Sequence, residues 1–183
     1  MIEGYPDVEI AVIAAVGSNG AVGLDGRLPW HLPDDLQHFK RETRGHCVVL
    51  GKRTWLEIGK PLPGRAHVVV SASLRAAGGI EHPAVQIVDD LDTALRLAAD
   101  HERRRKCEGA VEVARVFVIG GTRLWSDAWP AVDLALLTEV DLAPEADTHF
   151  PDVDFSAFDR AEVRLGVGPP DHRFVRWQRR TAR

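Results

Sequence analysis

With 183 residues, 45% hydrophobic and 27% charged, the chain is long enough for a single domain, 1–183, with a sizeable core and too short to expect two. A net charge of −4 gives no global case for binding nucleic acid, so any anion recognition must come from local basic clusters. Cys47 lies in an apolar run and Cys107 in a charged one, with no Cys-x-x-Cys, and the eight histidines show no metal-ligand spacing, so a reducing compartment and no metal are expected.

The segment Met1-Ile2-Glu3-Gly4-Tyr5-Pro6-Asp7 is acidic where a secretory signal is basic, and no apolar run reaches membrane-spanning length, so a cytoplasmic protein is expected. Val8 to Val16 is a near-continuous apolar, β-branched run that predicts a buried strand. Glycines at 17, 20, 23 and 26 then make a loop able to approach a ligand closely, and its place directly before a helix suggests a lid over a cleft. The helix is announced by Leu28-Pro29-Trp30-His31-Leu32-Pro33-Asp34-Asp35-Leu36-Gln37-His38-Phe39-Lys40. Pro33 suits the first helical position, and Asp34 and Asp35 fall in the first turn, where the dipole favours carboxylates. At about 100° per residue, Leu32, Leu36, Phe39 and Thr43 share a face; Asp34 points away toward water, and Asp35 lies roughly 60° from the centre of that face. A carboxylate among Trp30, Leu36 and Phe39 is costly to bury unless it is hydrogen-bonded or protonated.

His46 to Gly51 predicts a second buried strand, and Lys52-Arg53-Thr54-Trp55 opens a short helix ending near Gly59. A strand feeding a helix through glycine, with cations and a hydroxyl beside it, is an anion-site pattern. Ile58-Gly59-Lys60-Pro61-Leu62-Pro63-Gly64-Arg65 is a rigid turn before the strand Ala66 to Val70. Gln86 to Val88 is a short strand, and Asp90 caps a helix with Leu91, Ala94, Leu95 and Ala98 on one face. The basic run His101 to Lys106 reads as the solvated last turns of that helix. Arg115 to Trp125 repeats the strand, glycine turn and helix start, here with Gly120-Gly121, which lets backbone approach a cofactor. Leu134 to Val140 is a further strand. In the tail, Ala161, Val163 and Leu165 alternate with Arg160, Glu162 and Arg164, and Phe174 and Trp177 follow Gly166-Val167-Gly168-Pro169-Pro170, predicting an antiparallel pair at a sheet edge. Short strands spaced by helices make this an α/β protein.

From Glu9 to Arg179 these segments resemble the dihydrofolate reductase family, most densely over Leu28 to Lys40 and then at Gly-Lys-Arg-Thr-Trp, Pro-Leu-Pro-Gly-Arg and Ile-Gly-Gly. The resemblance implies a single domain with an eight-stranded, mostly parallel sheet, a C-terminal antiparallel strand and about four flanking helices. It further implies NADPH-dependent reduction of 7,8-dihydrofolate to 5,6,7,8-tetrahydrofolate, inhibition by antifolates, and a monomer with no membrane or nucleic-acid partner. In the catalytic group it places Asp35, Trp30, Leu28 and Thr138, with Thr138 and Trp30 holding a water beside the carboxylate. Around the substrate it places Ile13, Ala14, Asp35, Phe39, Ile58, Leu62, Arg65 and Ile119, with Ile58 and Leu62 on the aminobenzoyl ring and Arg65 on the glutamate α-carboxylate. Around the cofactor it places Ala15, Gly23, Leu28, Gly51, Lys52, Arg53, Thr54, Ser71, Ser73, Gly120, Gly121, Thr122, Arg123, Leu124 and Trp125. Asp147 would bias closure of the glycine loop. The chain departs from the family pattern at Ala72, where many relatives carry a hydroxyl, at Thr122, and at Trp125, which replaces a tyrosine. Two other readings fit parts of the pattern: a ribosylamino-pyrimidine reductase of riboflavin synthesis, and a non-catalytic nucleotide- or RNA-binding module using the basic run near Arg104.

Overall fold

The computed structural model describes residues 5–180, so the first four residues of the acidic N-terminal stretch lie outside it. Ten strands and five helices follow the chain: β1 (Glu9–Gly17), β2 (Ala21–Gly23), α1 (Pro33–Thr43), β3 (Cys47–Gly51), α2 (Lys52–Ile58), β4 (Ala66–Val70), α3 (Ala72–Ala76), β5 (Val85–Val88), α4 (Leu91–Cys107), β6 (Arg115–Gly120), α5 (Thr122–Ala128), β7 (Leu134–Val140), β8 (Thr148–His149), β9 (Phe158–Leu165) and β10 (His172–Arg179). Eight strands form one sheet in the order β5-β4-β3-β6-β1-β7-β10-β9, and β2 pairs with β8 in a separate two-stranded patch. The pairs from β5 through to β7 are parallel, and β10 runs antiparallel between β7 and β9.

Both faces of the central strands are buried, and strand period sorts their side chains. Ile10 and Val12 of β1, Val49 of β3 and Val116 and Val118 of β6 pack with Leu95, Ala98, Trp125 and Trp129 on the α4/α5 side. Ala11, Ile13, Val48, Leu50, Phe117 and Ile119 face the other way and pack with Trp55, Phe39, Ile58 and Leu62 on the α1/α2 side. The helix over 91–107 carries the expected cap, with Asp90 Oδ1 accepting the Thr93 N–H at 2.8 Å. No described helix is long and apolar enough to cross a membrane.

Three local expectations are corrected. The helix count rises from about four to five because α3, a five-residue turn capped by Ser71, has too few positions to show a periodicity. Part of the glycine loop is strand, since Ala21 and Gly23 find partners in His149 and Thr148, which are distant in sequence. Leu36 does not join the core face of α1: it is 50% exposed, whereas His38 on the adjoining stripe is buried against Phe174 at 4.5 Å.

Candidate active site

The carboxyl ends of β3 and β6 open into a cavity of about 760 Å³, the usual place for a ligand in an open parallel sheet. Its walls include Gly51, Lys52, Arg53 and Thr54 from the β3–α2 turn, and Gly120, Gly121, Thr122, Arg123, Leu124 and Trp125 from the β6–α5 turn. Gly23 and Leu28 of the glycine loop and Ile119 of β6 complete the side nearest α1. Glycine begins both helices, at Gly51 and Gly121, and neither start has a side-chain cap. Gly120 has φ of 152°, and a Cβ there would lie 2.7 Å from Thr54 Oγ1, so the two turns touch only because this position lacks a side chain. Of the cations on the walls, Arg53 is bound to Glu57 and Asp147 and Arg123 to Asp127, while Arg27 and Lys52 have no carboxylate partner among the described residues.

Asp35 is 7% exposed in the first turn of α1, and the Thr138 hydroxyl of β7 donates to its Oδ1 at 2.6 Å. Removal from water pushes the Asp35 carboxyl above the ordinary carboxylate range; the Thr138 hydrogen bond and the nearby His172 oppose that rise, and Asp34 adds to it. The indole Nε1 of Trp30 is buried with no hydrogen-bond partner. Trp30 packs on Gly17, where a Cβ would stand 3.3 Å from the indole ring and 2.8 Å from the Leu142 carbonyl oxygen. A buried donor without an acceptor is expensive, and such a group suits a water or a substrate atom.

Arg65 crosses behind α1. Its Nε donates to Thr43 Oγ1 at 2.8 Å, Nη1 to the Pro63 carbonyl at 3.1 Å and Nη2 to the Lys40 carbonyl at 3.3 Å, and its guanidinium lies 5.6 Å from the Phe39 ring. Three of five N–H donors are used, leaving one on each terminal nitrogen, the fork that takes a carboxylate in a bidentate pair. The adjoining wall is set by His67, 1% exposed, whose Nε2 accepts the Leu62 N–H at 3.0 Å while Nδ1 faces the Ala84 carbonyl. Burial depresses the His67 pKa, so the ring is neutral and Leu62 is held by a fixed acceptor.

The glycine loop turns at Asp25 and Gly26, with φ of 49° and 73°, and exchanges backbone hydrogen bonds between Leu24 and Arg27. Asp147 Oδ2 accepts the Asp25 N–H at 3.1 Å and Arg53 Nη2 at 3.0 Å, and Thr148 donates to its other oxygen. Thr148, the Asp25 N–H and Arg53 hold the Asp147 carboxyl below its usual range.

The structure thus gathers most of the residues expected around a cofactor on one cavity, and Ile13, Phe39, Ile58, Leu62 and Ile119 in one apolar cluster, with Ile119 common to both. Three expectations differ. Ala14 packs on the α4/α5 side, because strand period turns it away from Ile13. Ala15 is a register partner of Thr138 and does not line the cavity. Ser71 accepts the Leu74 N–H as the cap of α3, and Ser73 accepts from Lys52 Nζ at 3.0 Å, so both hydroxyls are engaged within the fold. Trp125 stays on the cavity wall, with its indole N–H donated to the Val118 carbonyl at 3.1 Å. Nothing in the sequence marks His67, a lone histidine within an apolar strand, as part of this wall.

A family model described as dihydrofolate reductase matches residues 9–178. The chain is 44% identical over 163 residues to the dihydrofolate reductase type 3 of Salmonella typhimurium, covering 88% of this chain and 89% of that one. It is 33% identical over 177 residues to the dihydrofolate reductase of Bacillus subtilis (strain 168), covering 94% and 96%. Among solved structures it is similar, with a TM-score of 0.80 and 26% identity, to the dihydrofolate reductase from Enterococcus faecalis complexed with NADP(H) and RAB-propyl, covering 94% of this chain and 97% of that chain. With its buried carboxylate, its paired glycine turns and these matches over nearly its whole length, the chain belongs to the dihydrofolate reductase family.

Proposed function

We propose that the protein catalyses NADPH-dependent reduction of 7,8-dihydrofolate to 5,6,7,8-tetrahydrofolate, with Asp35 organising the proton. The observation that carries this reading is the buried Asp35 carboxylate gripped by Thr138, in a chain whose Trp30 indole N–H is also buried without a partner. Reduction of the dihydropterin C=N bond needs hydride at carbon and a proton at nitrogen. NADPH, when bound, supplies the hydride. The glycine turns fit such a group: Gly51, Gly120 and Gly121 put bare backbone on the cavity wall, and Thr54 and Lys52 stand at the same wall to meet phosphate.

Asp35 accepts two parallel hydrogen bonds from the 2-amino group and the adjacent ring N–H, which orients the pterin and favours its protonation. Trp30 and Thr138 hold the water that delivers the proton to the acceptor nitrogen. Leu28, 45% exposed on the cavity wall, covers the reacting carbon and excludes bulk water. Phe39, Ile58 and Leu62 clasp the aminobenzoyl ring, and the two free N–H groups of Arg65 take the glutamate α-carboxylate. The same reading makes the protein a cytoplasmic monomer that binds antifolates.

Loss of nicotinamide absorbance with purified protein, NADPH and dihydrofolate tests the proposal. Oxidation that prefers NADPH over NADH and stops with a 2,4-diaminopteridine is expected. If NADPH binds and is not oxidised, the folate assignment falls and the ribosylamino-pyrimidine is the substrate to try.

A further inference from the structure

The second acid of the α1 first turn has a partner of its own. Asp34 was expected to face water, yet both its oxygens lie 2.9 Å from His172 Nε2, and Oδ2 also accepts the Val167 N–H at 2.9 Å. The His172 side chain is fully buried, and its Nδ1 lies 2.8 Å from the Pro170 carbonyl oxygen. A carbonyl and a carboxylate only accept, so both ring nitrogens must donate; the ring that completes this geometry is the imidazolium. The turn is shaped around it, since a Cβ at Gly166 would fall 2.0 Å from Nε2.

The position of this pair in the ladder matters more than its existence. Phe174 is the register partner of Thr138 and His172 that of Val140, so β7 and β10 hold the two neighbouring acids from adjacent positions. Thr138 grips Asp35 and His172 grips Asp34. The residue at the capping position of α1, Leu32, offers no side-chain cap, so the first turn is not fixed by the usual local device. Two grips on consecutive residues, which point in directions about 100° apart, fix the rotation of the helix about its axis and therefore the aim of Asp35.

We propose that His172, as an imidazolium, is a positioning residue for the reduction: it locks the first turn of α1 through Asp34 and neutralises that carboxylate so that Asp35 can carry its own charge in a buried site. The proposal rests on the reading of Asp35 given above. The charged and titratable groups around the ring are Asp34, Asp35 and His38 of α1 and Arg164 of β9, which lies 4.0 Å from the Phe174 ring; Glu139 of β7 alternates to the opposite face, where it pairs with Arg160 and Arg173. Of these groups, the ring is the one that reaches the first turn directly, with Nε2 2.9 Å from both Asp34 oxygens.

A charge cycle separates this role from packing. The titration of Asp35 is followed by carbon-13 NMR of carboxyl-labelled protein without substrate, for the unaltered chain, His172→Gln, Asp34→Asn and the double variant. His172→Gln leaves Asp34 uncompensated and is expected to move the Asp35 midpoint upward by about half a unit or more. In the double variant both charges are gone, and the midpoint is expected to return close to that of the unaltered chain, although more of the structure has been changed. In turnover, His172→Gln is expected to lower kcat by about tenfold with KM for NADPH within about twofold, because a misaimed catalytic group costs rate more than binding. An unchanged Asp35 midpoint in His172→Gln, or an equal displacement in the single and double variants, overturns the proposal. If His172→Gln does not fold, nitrogen-15 spectra of the imidazole in the unaltered protein decide it: hydrogens on both ring nitrogens at the assay pH support the proposal, and one overturns it. These resonances are read without catalysis, so a protein that fails to reduce dihydrofolate can still show the coupling, and the two readings fail independently.

Discussion

At the amino ends of the strands, Glu102 of α4, fully buried, accepts the Cys47 N–H at 2.7 Å and faces His46 Nδ1 at 2.8 Å. Asp133 accepts the Ile10 N–H, and Glu9 pairs with Arg115. At the carboxyl ends, the Trp30 indole has no partner, and α1, α2 and α5 begin without side-chain caps. One sheet therefore treats polar groups in two ways. Glu102 at the amino end is satisfied by the fold and stabilises it, whereas Trp30 and the starts of α1, α2 and α5 at the carboxyl end are left short of partners, which costs stability and leaves groups free for a ligand.

The largest expected effect lies at the carboxyl end. Asp35→Asn should lower kcat near neutral pH by about 10²–10⁴-fold, recovering partly in acid where the substrate arrives protonated. Since the Asp35 pKa is raised on folding, the folded state holds this proton more tightly than the unfolded chain, and the contribution of the group to stability falls as pH rises past the ordinary carboxylate range. Removing the charge should then raise the neutral-pH melting temperature by about 2–4 °C. A variant that is both inactive and less stable would break the comparison. Next comes Glu102→Ala at the amino end, which strands the Cys47 N–H and His46; a loss of about 3 kcal/mol in urea unfolding is expected, with kcat per folded molecule unchanged. A large fall in kcat there would mean that the two ends are coupled.

Arg65 spans both behaviours, since three of its donors serve the fold and two remain. Arg65→Ala should raise KM for dihydrofolate by roughly 10–100-fold, from loss of a charged hydrogen-bonded pair, and leave a pterin lacking the glutamate tail far less affected. Equal losses for the two would remove the carboxylate role. The smallest effect is expected at Arg53, exposed and shared between Glu57 and Asp147. Arg53→Gln should weaken NADPH by less than about tenfold, and only at low ionic strength, with an unchanged melting temperature.

What was legible in the sequence follows the range of the interactions. Strands such as Leu134–Val140 and the Asp90 cap are written in neighbouring residues, as apolar continuity and as a short polar side chain before a helix. The resemblance carried the glycine turns and Asp35, because those residues sit in contiguous motifs. Asp34 departs from its helical-wheel position toward water because its partner lies 138 residues away, and a helical wheel knows only its own helix. Leu36 was assigned to the core for the same reason: a wheel gives a face, and only the sheet beneath decides whether that face meets protein or a cleft. Ser71 and Ser73 were legible as hydroxyls after a strand, but their use as a cap and as the partner of Lys52 depends on the unpredicted α3.

The order of the sheet also sets an order of assembly. Strand β10 comes last in the chain yet lies between β7 and β9, and β9 has no other partner in the sheet. A nascent chain that has produced the parallel strands, both glycine turns and α1 has the parts of a nucleotide cleft, but the histidine that grips Asp34 still lies ahead. Such contacts of high sequence separation form late, because the loop between them must close before they stabilise anything. Docking of this last strand is then the event that completes the acid centre, so a chain stalled during synthesis before β10 would fold in part and remain without a finished site.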